Sequence, residues 1–479
     1  MQTGIAGVER TVCPDRLLSL RLLSIRLRWI RLRWIRLRGI RLRGIRLLGA
    51  AMLAAGLLAG GATLPVAAEA ESSDALTISL DPYLSVESGA DLTFSLVSLT
   101  GRAEAWAFRP LEDRPAARVP LRAAWALAFD VPVAWWFSVL QHEAYGHAGR
   151  ARELGSSGAG ARMGSPWKRR SSYATFDASG MSDVDLLRVY AAGPESNGHA
   201  ATLLTREALA GRELRPMELF YLTANRAVTS RYVLRTTPDP TTEPGGFFRE
   251  WSGGGDVANY IGYLHRDRFG DAGIRAEGVD ASVLEVYERM ERHAYWNGLD
   301  PAAWLALAVG WRAVVRGEST AQIPGFRLAG RRTLPVLSAD WLPRGPVASL
   351  ELVFGQPLPG RGDAGASGAG GAGGSRGGRS PAWYSLVVRH GRGFDGRIGA
   401  VGAATESFAE AGVFRLGGDL EIWDRPDGGI GGGVRVRGRV VRGRLRGAFA
   451  DVGIKTAGHW PGRPVADGPF VRFGVRFVP

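Results

Sequence analysis

Two histidines and a glutamate lie close together in the segment Gln141–His147, next to a strongly apolar run. Imidazole nitrogen is a favoured zinc ligand, and a glutamate beside the first histidine can act as general base on a metal-bound water. The short zinc-binding motif His-Glu-x-x-His separates its histidines by four residues, so that both lie on one face of a helix. Here His147 follows His142 by five residues, which would place the two side chains about 140° apart on an ideal α-helix. The pair can share a metal only if the helix absorbs the extra residue, for example as a π-bulge, and Gly146 would ease that distortion.

The spacing of His142, Glu143, Gly146 and His147 resembles the His-Glu-x-x-Gly-His metal motif of the dipeptidyl peptidase III family of zinc peptidases. The resemblance covers these four residues and implies a type of metal site, a zincin-like helix whose two histidines bind Zn²⁺. That family takes its third ligand from a glutamate in a second motif, which has no counterpart here. The alternative is a helix with two histidines and no metal, one histidine in a core and one in solvent.

A zinc site needs a third protein ligand, and a second helical segment offers two candidates. Glu195 and His199 are four residues apart, so on a helix they share a face and could approach one ion. We predict Glu195 as the third ligand, whereas His199 could stabilise an oxyanion beside the metal and so act in catalysis together with Glu143. Asp256, which follows three glycines, is a possible substitute ligand. Its expected role is to cap the helix that begins at Val257, since aspartate accepts hydrogen bonds from first-turn amides.

A Gly-Pro-x-x-Asn element at residues 193–197 is similar to an element of site-2 proteases, which are intramembrane zinc enzymes. This resemblance implies an active site within the membrane, and such an enzyme needs several membrane helices. The segment Ala123–Leu140 is apolar enough to suggest one span, although Asp130 and Pro132 interrupt it. The mean hydropathy of the chain is close to zero, which argues against several spans. We therefore expect a buried helix here, or a helix packed against the membrane surface.

The first 70 residues are predicted to form a basic leader and signal peptide outside the folded body. Residues 24–48 repeat a five-residue unit rich in arginine, and this period gives neither a helix nor a strand a clean buried face. An apolar run over residues 47–60 and small-residue cleavage patterns ending at Ala68 and Ala70 complete a secretory signal peptide. An uncleaved N-terminal anchor is the alternative.

Without this leader, the composition of the chain implies different partners. Residues 1–68 hold twelve arginines and two acidic residues, so only +4 of the formal charge of +14 belongs to the remainder. The basic excess therefore serves targeting, and we expect no nucleic-acid partner. The sole cysteine, Cys13, also lies in the leader, so the mature chain must hold any metal with His, Asp or Glu. We expect export to the periplasm or outer membrane of a Gram-negative bacterium.

Hydrophobic patterning divides the rest of the chain into a helical and a strand-rich part, which together make an α+β fold. Residues 71–100 alternate in the manner of strands and are expected to join the C-terminal sheet. Residues 101–318 carry helical patterns and form the zincin-like domain with the candidate site. Residues 319–479 contain recurrent strand patterns, interrupted by a Gly/Ala/Ser-rich loop at 358–380 that we expect to be disordered.

The C-terminal strands alternate apolar and cationic residues, as in Val434–Val440 and Phe470–Phe477. Segments of about ten residues with this alternation, joined by Gly/Pro/Asp turns, are typical of transmembrane β-barrels. We predict about eight antiparallel strands in a closed outer-membrane barrel, with apolar side chains on lipid and arginines inside. The ending Val471–Pro479 resembles the aromatic-rich last strand of bacterial outer-membrane proteins. A soluble β-sandwich is the alternative.

The leading hypothesis is an exported zinc metallopeptidase associated with the outer membrane, with a peptide or protein substrate and membrane lipid as partners. His142, His147 and Glu195 would bind Zn²⁺. Glu143 would take a proton from water as it attacks a peptide carbonyl and would give it to the leaving amine. The alternative is a non-enzymatic outer-membrane channel or scaffold, with the helical part as a plug or periplasmic module. The oligomeric state is left open.

Overall fold

The computed structural model describes residues 75–167, 172–236, 255–269, 281–357, 383–393, 396–425, 429–456 and 458–477. All of these residues belong to one compact unit, Ala55–Pro479. The predicted leader over residues 1–70 and the predicted disordered loop over residues 358–380 lie outside the described residues.

The longer helices follow one another along the first part of the described chain. They are α1 (Val86–Phe108), α2 (Pro115–Glu153), α3 (Asp183–Leu209), α4 (Pro216–Arg235), α5 (Asp256–Phe269), α6 (Ala281–Gly298) and α7 (Pro301–Arg316). Helix α2 is continuous but not uniform, because its α-helical parts enclose two π-helical segments, Ala126–Asp130 and Gln141–His147. A capping box at Ser182 begins α3, and the Asp300 side chain caps α7. The helical pattern predicted for residues 101–318 therefore matches the helices observed.

The segment before these helices differs from the prediction. Only β1 (Leu76–Leu80) is a strand, and the strand pattern predicted around residues 92–96 lies within α1. The Asp81 carboxylate accepts hydrogen bonds from the backbone N–H groups of Tyr83 and Ser85, which turns the chain from strand into helix. Buried residues of α1 recur with helical spacing, so tertiary burial favours a helix over the local alternation.

One large antiparallel sheet and one small hairpin contain the strands. The strands after β1 are β2 (Gly160–Arg162), β3 (Tyr173–Thr175), β4 (Phe326–Leu328), β5 (Arg331–Leu342), β6 (Gly345–Pro357), β7 (Tyr384–Gly393), β8 (Gly396–Ala411), β9 (Phe414–Asp424), β10 (Ile430–Val440), β11 (Ala448–Lys455) and β12 (Gly468–Phe477). Strands β2 and β3 pair alone, and the other ten form a sheet in the order β1-β12-β11-β10-β9-β8-β7-β6-β5-β4. The prediction of helices plus a C-terminal antiparallel sheet is confirmed at this level.

This sheet is open in the described part of the chain, whereas we predicted a closed barrel. Its edge strands, β1 and β4, do not pair with one another. Helix side chains contact the sheet near both edges. The Ser95 hydroxyl of α1 lies in hydrogen-bonding contact with the backbone N–H and carbonyl of Thr77 in β1, and the Asp300 carboxylate accepts the N–H of Leu337 in β5, beyond the three residues that pair with β4. These backbone groups of Thr77 and Leu337 therefore have partners without a further strand.

The apolar cores lie mainly among the helices. The larger core joins α3, α4 and α7 to β5 and β6, with Leu204, Leu219 and Val309 among its buried members. A second core packs α5 and α6 against α3, with Trp341 of β5 beneath them. These two cores fix the positions of α3 and α5, the helices that the candidate site requires beside α2.

Helix α2 is the one helix among the described residues that is long and apolar enough to cross a membrane, judged by length and composition alone. In the most apolar stretch of 18 residues within this helix, 33 % is buried inside the protein. An intramembrane protease of the site-2 type would require several such helices.

Candidate metal centre

The π-helical segment Gln141–His147 brings the two motif histidines together. The wider turn of a π-helix accommodates the five-residue spacing, so the Nε2 atoms of His142 and His147 lie 3.1 Å apart. Asp256, the first residue of α5, completes the group: one carboxylate oxygen is 2.8 Å from Nε2 of His142 and the other is 3.2 Å from Nε2 of His147. The three side chains are buried, and their ligand-capable atoms all lie within 4.8 Å of one another.

Hydrogen bonds at the far side of each imidazole fix its orientation. Nδ1 of His142 is 2.7 Å from the side-chain oxygen of Asn197, and Nδ1 of His147 is 2.7 Å from the backbone carbonyl of Val189. Both partners accept, so each Nδ1 carries the proton and donates it. Nε2 is therefore the nitrogen of each ring that faces the other imidazole and Asp256, and it is the atom that would bind a metal ion. Metal-binding histidines in proteins are oriented in this way by their outer partners.

Asn197 is itself held in place by the surrounding helices. Its amide nitrogen donates to the backbone carbonyl of Ser138 in α2 and to the side-chain oxygen of Asn225 in α4, each at 2.8 Å. These bonds assign the amide oxygen to His142. Asn197 therefore links three helices to the orientation of one candidate ligand.

Two glycines allow the helices α2 and α3 to approach closely at the site. A Cβ atom on Gly193 would lie 2.5 Å from Nε2 of both histidines, too close for either ring to keep its place. A Cβ atom on Gly146 would lie 2.7 Å from the backbone of Ala192 and Gly193. Only a residue without a Cβ leaves this space open.

The electrostatics of the group favour a bound cation. Burial by itself raises the pKa of Asp256, but the two imidazoles hold it below its usual range. Burial likewise lowers the pKa of His147, and the Asp256 carboxylate reverses this and raises it to about 9. Two nitrogen donors and one carboxylate in a buried setting are a ligand set that divalent zinc accepts, with a further position for water or substrate. The residues present therefore fit a metal ion.

Glu143 lies beside this group on α2. It is buried, and burial raises its pKa above the usual value even though His142 and His147 act in the opposite sense. One of its carboxylate oxygens accepts the backbone N–H of Ala174 in β3 at 2.8 Å. The small hairpin thus positions the carboxylate, and a raised pKa suits a group that exchanges protons near neutral pH.

The structure does not bring Glu195 to the two histidines. Its carboxylate pairs with Arg150 at 2.9 Å and accepts the backbone N–H of Gly462, and Nε2 of His459 lies 3.2 Å from its other oxygen. Burial by itself would raise the pKa of Glu195, but Arg150, His459 and the backbone N–H of Gly462 together lower it to about 2. This carboxylate is therefore bound within an ion-pair network on the sheet side of α3.

His199 lies on that same side of α3, with Nε2 at 3.7 Å from the carboxylate of Glu87. Burial lowers its pKa to about 4, so it is neutral at physiological pH. The spacing of Glu195 and His199 correctly predicted a shared helix face. Nothing in that spacing says which neighbour the face contacts, and the face towards the metal group is the one that carries Gly193 and Asn197.

The roles of two residues in the site were not predicted from the sequence. For Asp256 the preferred role was a helix cap, whereas its side chain contacts both imidazoles. Asn197 was noticed only as part of the Gly-Pro-x-x-Asn element. A stacking partner of His142 was not foreseen: the ring of Tyr232 lies parallel to it, with the centroids 5.0 Å apart.

Comparison with protein-family models, with curated proteins and with solved structures finds no match to this chain.

Proposed function

We propose that this protein is a zinc-dependent peptidase with His142, His147 and Asp256 as the metal ligands. The observation that carries the proposal is the close approach of two Nε2 atoms and one carboxylate within a buried group, with both Nδ1 atoms already engaged. Zinc is proposed rather than magnesium or calcium because imidazole nitrogen suits zinc, while the harder cations prefer oxygen ligands alone. Asp256 is thus proposed as the third metal ligand in place of Glu195, which was predicted from the sequence.

The residues of the site would have distinct tasks in peptide hydrolysis. A bound zinc ion would supply a Lewis acid for the attacking water and the substrate carbonyl. Glu143 would accept the proton of that water and then donate it to the leaving amine, which its raised pKa supports. Asn197 and the Val189 carbonyl would hold the proton of each imidazole on Nδ1, so that Nε2 would face the metal. His199, which lies on the sheet side of α3, has no part in this scheme.

Metal binding is the first experiment. The purified full chain, stripped with a chelator and reconstituted with zinc, is expected to hold one equivalent, measured by mass spectrometry of the metal. Asp256→Asn should lower that occupancy strongly, whereas Glu195→Gln should leave it unchanged because Glu195 lies in a separate ion-pair network. Equal occupancy in the wild type and in Asp256→Asn would refute the ligand assignment.

Hydrolysis is the second experiment. Incubation with a mixture of peptides, followed by mass spectrometry, should show cleavage that depends on zinc. Glu143→Gln should reduce the rate by about 10²- to 10⁴-fold, the usual contribution of a general base, without loss of zinc. A variant that loses both zinc and activity would say nothing about the base, so the two measurements are made on the same sample. Unchanged cleavage by Glu143→Gln would refute the mechanism.

We also propose that the protein is exported and belongs to the outer membrane, with the antiparallel sheet of the outer-membrane type. The leader pattern and the charged and apolar alternation of the strands support this location. A second candidate function is a non-enzymatic membrane scaffold. It is favoured by the ion pairs that join α1 and α3 to the inner face of the sheet. A Glu143→Gln strain with an unaltered phenotype would favour the scaffold over the peptidase.

A further inference from the structure

The two faces of the strands β10 to β12 have the reverse of the polarity expected in a soluble protein. Arg435 of β10 is 8 % exposed, while its neighbour Val436 is 43 % exposed. Val452 of β11 and Phe473 of β12 are 58 % and 60 % exposed, and the residues between them on the inner face, Asp451 and Arg472, are buried. In a soluble sheet the apolar side chains face the core and the charges face water.

The charges on the inner face are satisfied within the protein. Asp451 accepts bonds from Arg437 at 2.6 Å and from Arg472 at 2.6 Å. Arg435 reaches the carboxylate of Glu87 in α1 at 2.8 Å. Buried charges are retained only where they are paired, so this polar interior fixes which side of the sheet faces inward. The apolar side is consequently the outer one.

The outer positions of β9 to β12 form one apolar surface, which we call the outer face. Its exposed members are Phe414, Ile430, Val434, Val436, Val452, Ile454, Val471, Phe473, Val475 and Phe477. None of the outward positions of β10, β11 and β12 carries a charge. An exposed apolar surface of this extent marks a contact with another molecule or with a membrane.

Helices continue this surface across the opening of the sheet. Helix α1 packs on β1, α2 packs on α1, α7 packs on α2, and β5 at the other side packs on α7. The exposed residues of α2 between Pro115 and Val131 are proline, alanine, leucine, tryptophan and valine only. The exposed side of α1 likewise presents Leu96, Leu99 and Trp106. A helix exposed to water would carry polar and charged residues on that side.

The dimensions of the strands agree with a lipid environment rather than with a small protein partner. Strand β10 has 11 residues. At about 3.3 Å per residue and the tilt of about 40° usual in membrane sheets, it spans about 28 Å, close to the thickness of a hydrocarbon core. A second copy of the chain would cover one patch, whereas this surface extends over four strands and two helices.

We propose that the outer face and the exposed sides of α1 and α2 together contact the hydrocarbon of a lipid bilayer, so that helices complete a membrane wall that the strands leave open. This proposal deepens the membrane location given above and assigns lipid as the partner of specific residues. It does not depend on the metal centre. Helices bond internally, and helix side chains bond to the backbone of Thr77 in β1 and Leu337 in β5, so groups that a bilayer could not satisfy have partners within the protein at these points.

Site-directed spin labelling tests the proposal, and the chain suits it because Cys13 is its sole cysteine. The full chain with Cys13→Ser would carry one new cysteine at a time, Val452→Cys or Phe473→Cys on the sheet and Leu96→Cys or Leu127→Cys on the helices. These side chains are exposed, so the labels should not disturb folding. The protein is reconstituted into vesicles of phosphatidylcholine and phosphatidylglycerol, and label relaxation is measured with oxygen, which enters hydrocarbon, and with chromium oxalate, which stays in water.

We expect all four labels to collide with oxygen several-fold more often than with chromium oxalate. A label at Leu445, which is 71 % exposed in the segment between β10 and β11, serves as the control and should show the opposite preference. Chromium oxalate access at the two helix labels would overturn the mixed wall. Spin–spin broadening at Val452 or Phe473 that disappears on dilution with unlabelled protein would mean that a second copy covers the outer face, which would also overturn it. Zinc content, measured on the same samples, reports separately on the peptidase proposal.

Discussion

Replacing Asn197 by alanine should weaken zinc binding without any change to a metal ligand. The Asn197 side-chain oxygen accepts the Nδ1 proton of His142 at 2.7 Å, which fixes the ring and keeps Nε2 available. In Asn197→Ala the imidazole can rotate, and the proton can move to the nitrogen that the metal needs. The loss of such an outer partner typically lowers metal affinity by about 10- to 100-fold. This corresponds to about 1.4 to 2.7 kcal/mol of binding free energy.

The same substitution also removes two buried hydrogen bonds, so stability must be measured separately. The Ser138 carbonyl and the Asn225 side-chain oxygen each lose the donor now at 2.8 Å. Each unsatisfied buried group costs about 1 to 3 kcal/mol. Asn297→Ala is the matched control. Asn297 is also buried and donates two such bonds, to the Arg226 carbonyl and the Ser230 hydroxyl, and neither partner is among the metal-site residues.

Competition with a fluorescent zinc chelator measures affinity, and urea denaturation of the metal-free protein measures stability. Asn197→Ala and Asn297→Ala should both lose stability, but only Asn197→Ala should lose zinc affinity. Asn197→Asp keeps an oxygen acceptor for His142 and should bind zinc within about tenfold of the wild type. The reasoning is refuted if Asn197→Ala binds zinc as tightly as the wild type, or if Asn297→Ala loses as much affinity.

Two further substitutions probe the site and the polar interior. Gly193→Ala should abolish zinc binding because its Cβ would lie 2.5 Å from both imidazole Nε2 atoms. Gly198→Ala, where the nearest neighbour of the added Cβ is 3.8 Å away, should retain zinc, and equal zinc titrations of the two variants would contradict this. Asp451→Asn should lower the free energy of unfolding by about 3 to 5 kcal/mol in a denaturant titration, because Arg437 and Arg472 lose the charge of their buried partner. The control Asp467→Asn should have little effect, because the Asp467 carboxylate is 56 % exposed.

The local sequence was a sound guide wherever one element decides its own geometry. The five-residue spacing of His142 and His147 requires a departure from α-helical geometry if both are to meet, and the helix departs from it at that segment. The alternation in β10 and β12 predicted the strands and which residues share a face. These features depend on the helical and strand periods, which are properties of the backbone and do not change with the surroundings.

Tertiary structure decided everything that depends on which faces meet. Asp256 rather than Glu195 lies with the histidines because α3 turns Gly193 and Asn197 towards them, while Glu195 contacts Arg150 further along α2 and the backbone of Gly462. The alternation in α1 was misread as a strand because local pattern competes with burial, and burial prevailed. At Thr77 and Leu337 the sheet bonds to helix side chains rather than to a further strand, and the helix residues, Ser95 and Asp300, are distant in sequence. A sequence thus determines the direction of a side chain within its own helix or strand, but the neighbour that it meets is set by packing free energies summed over the whole chain.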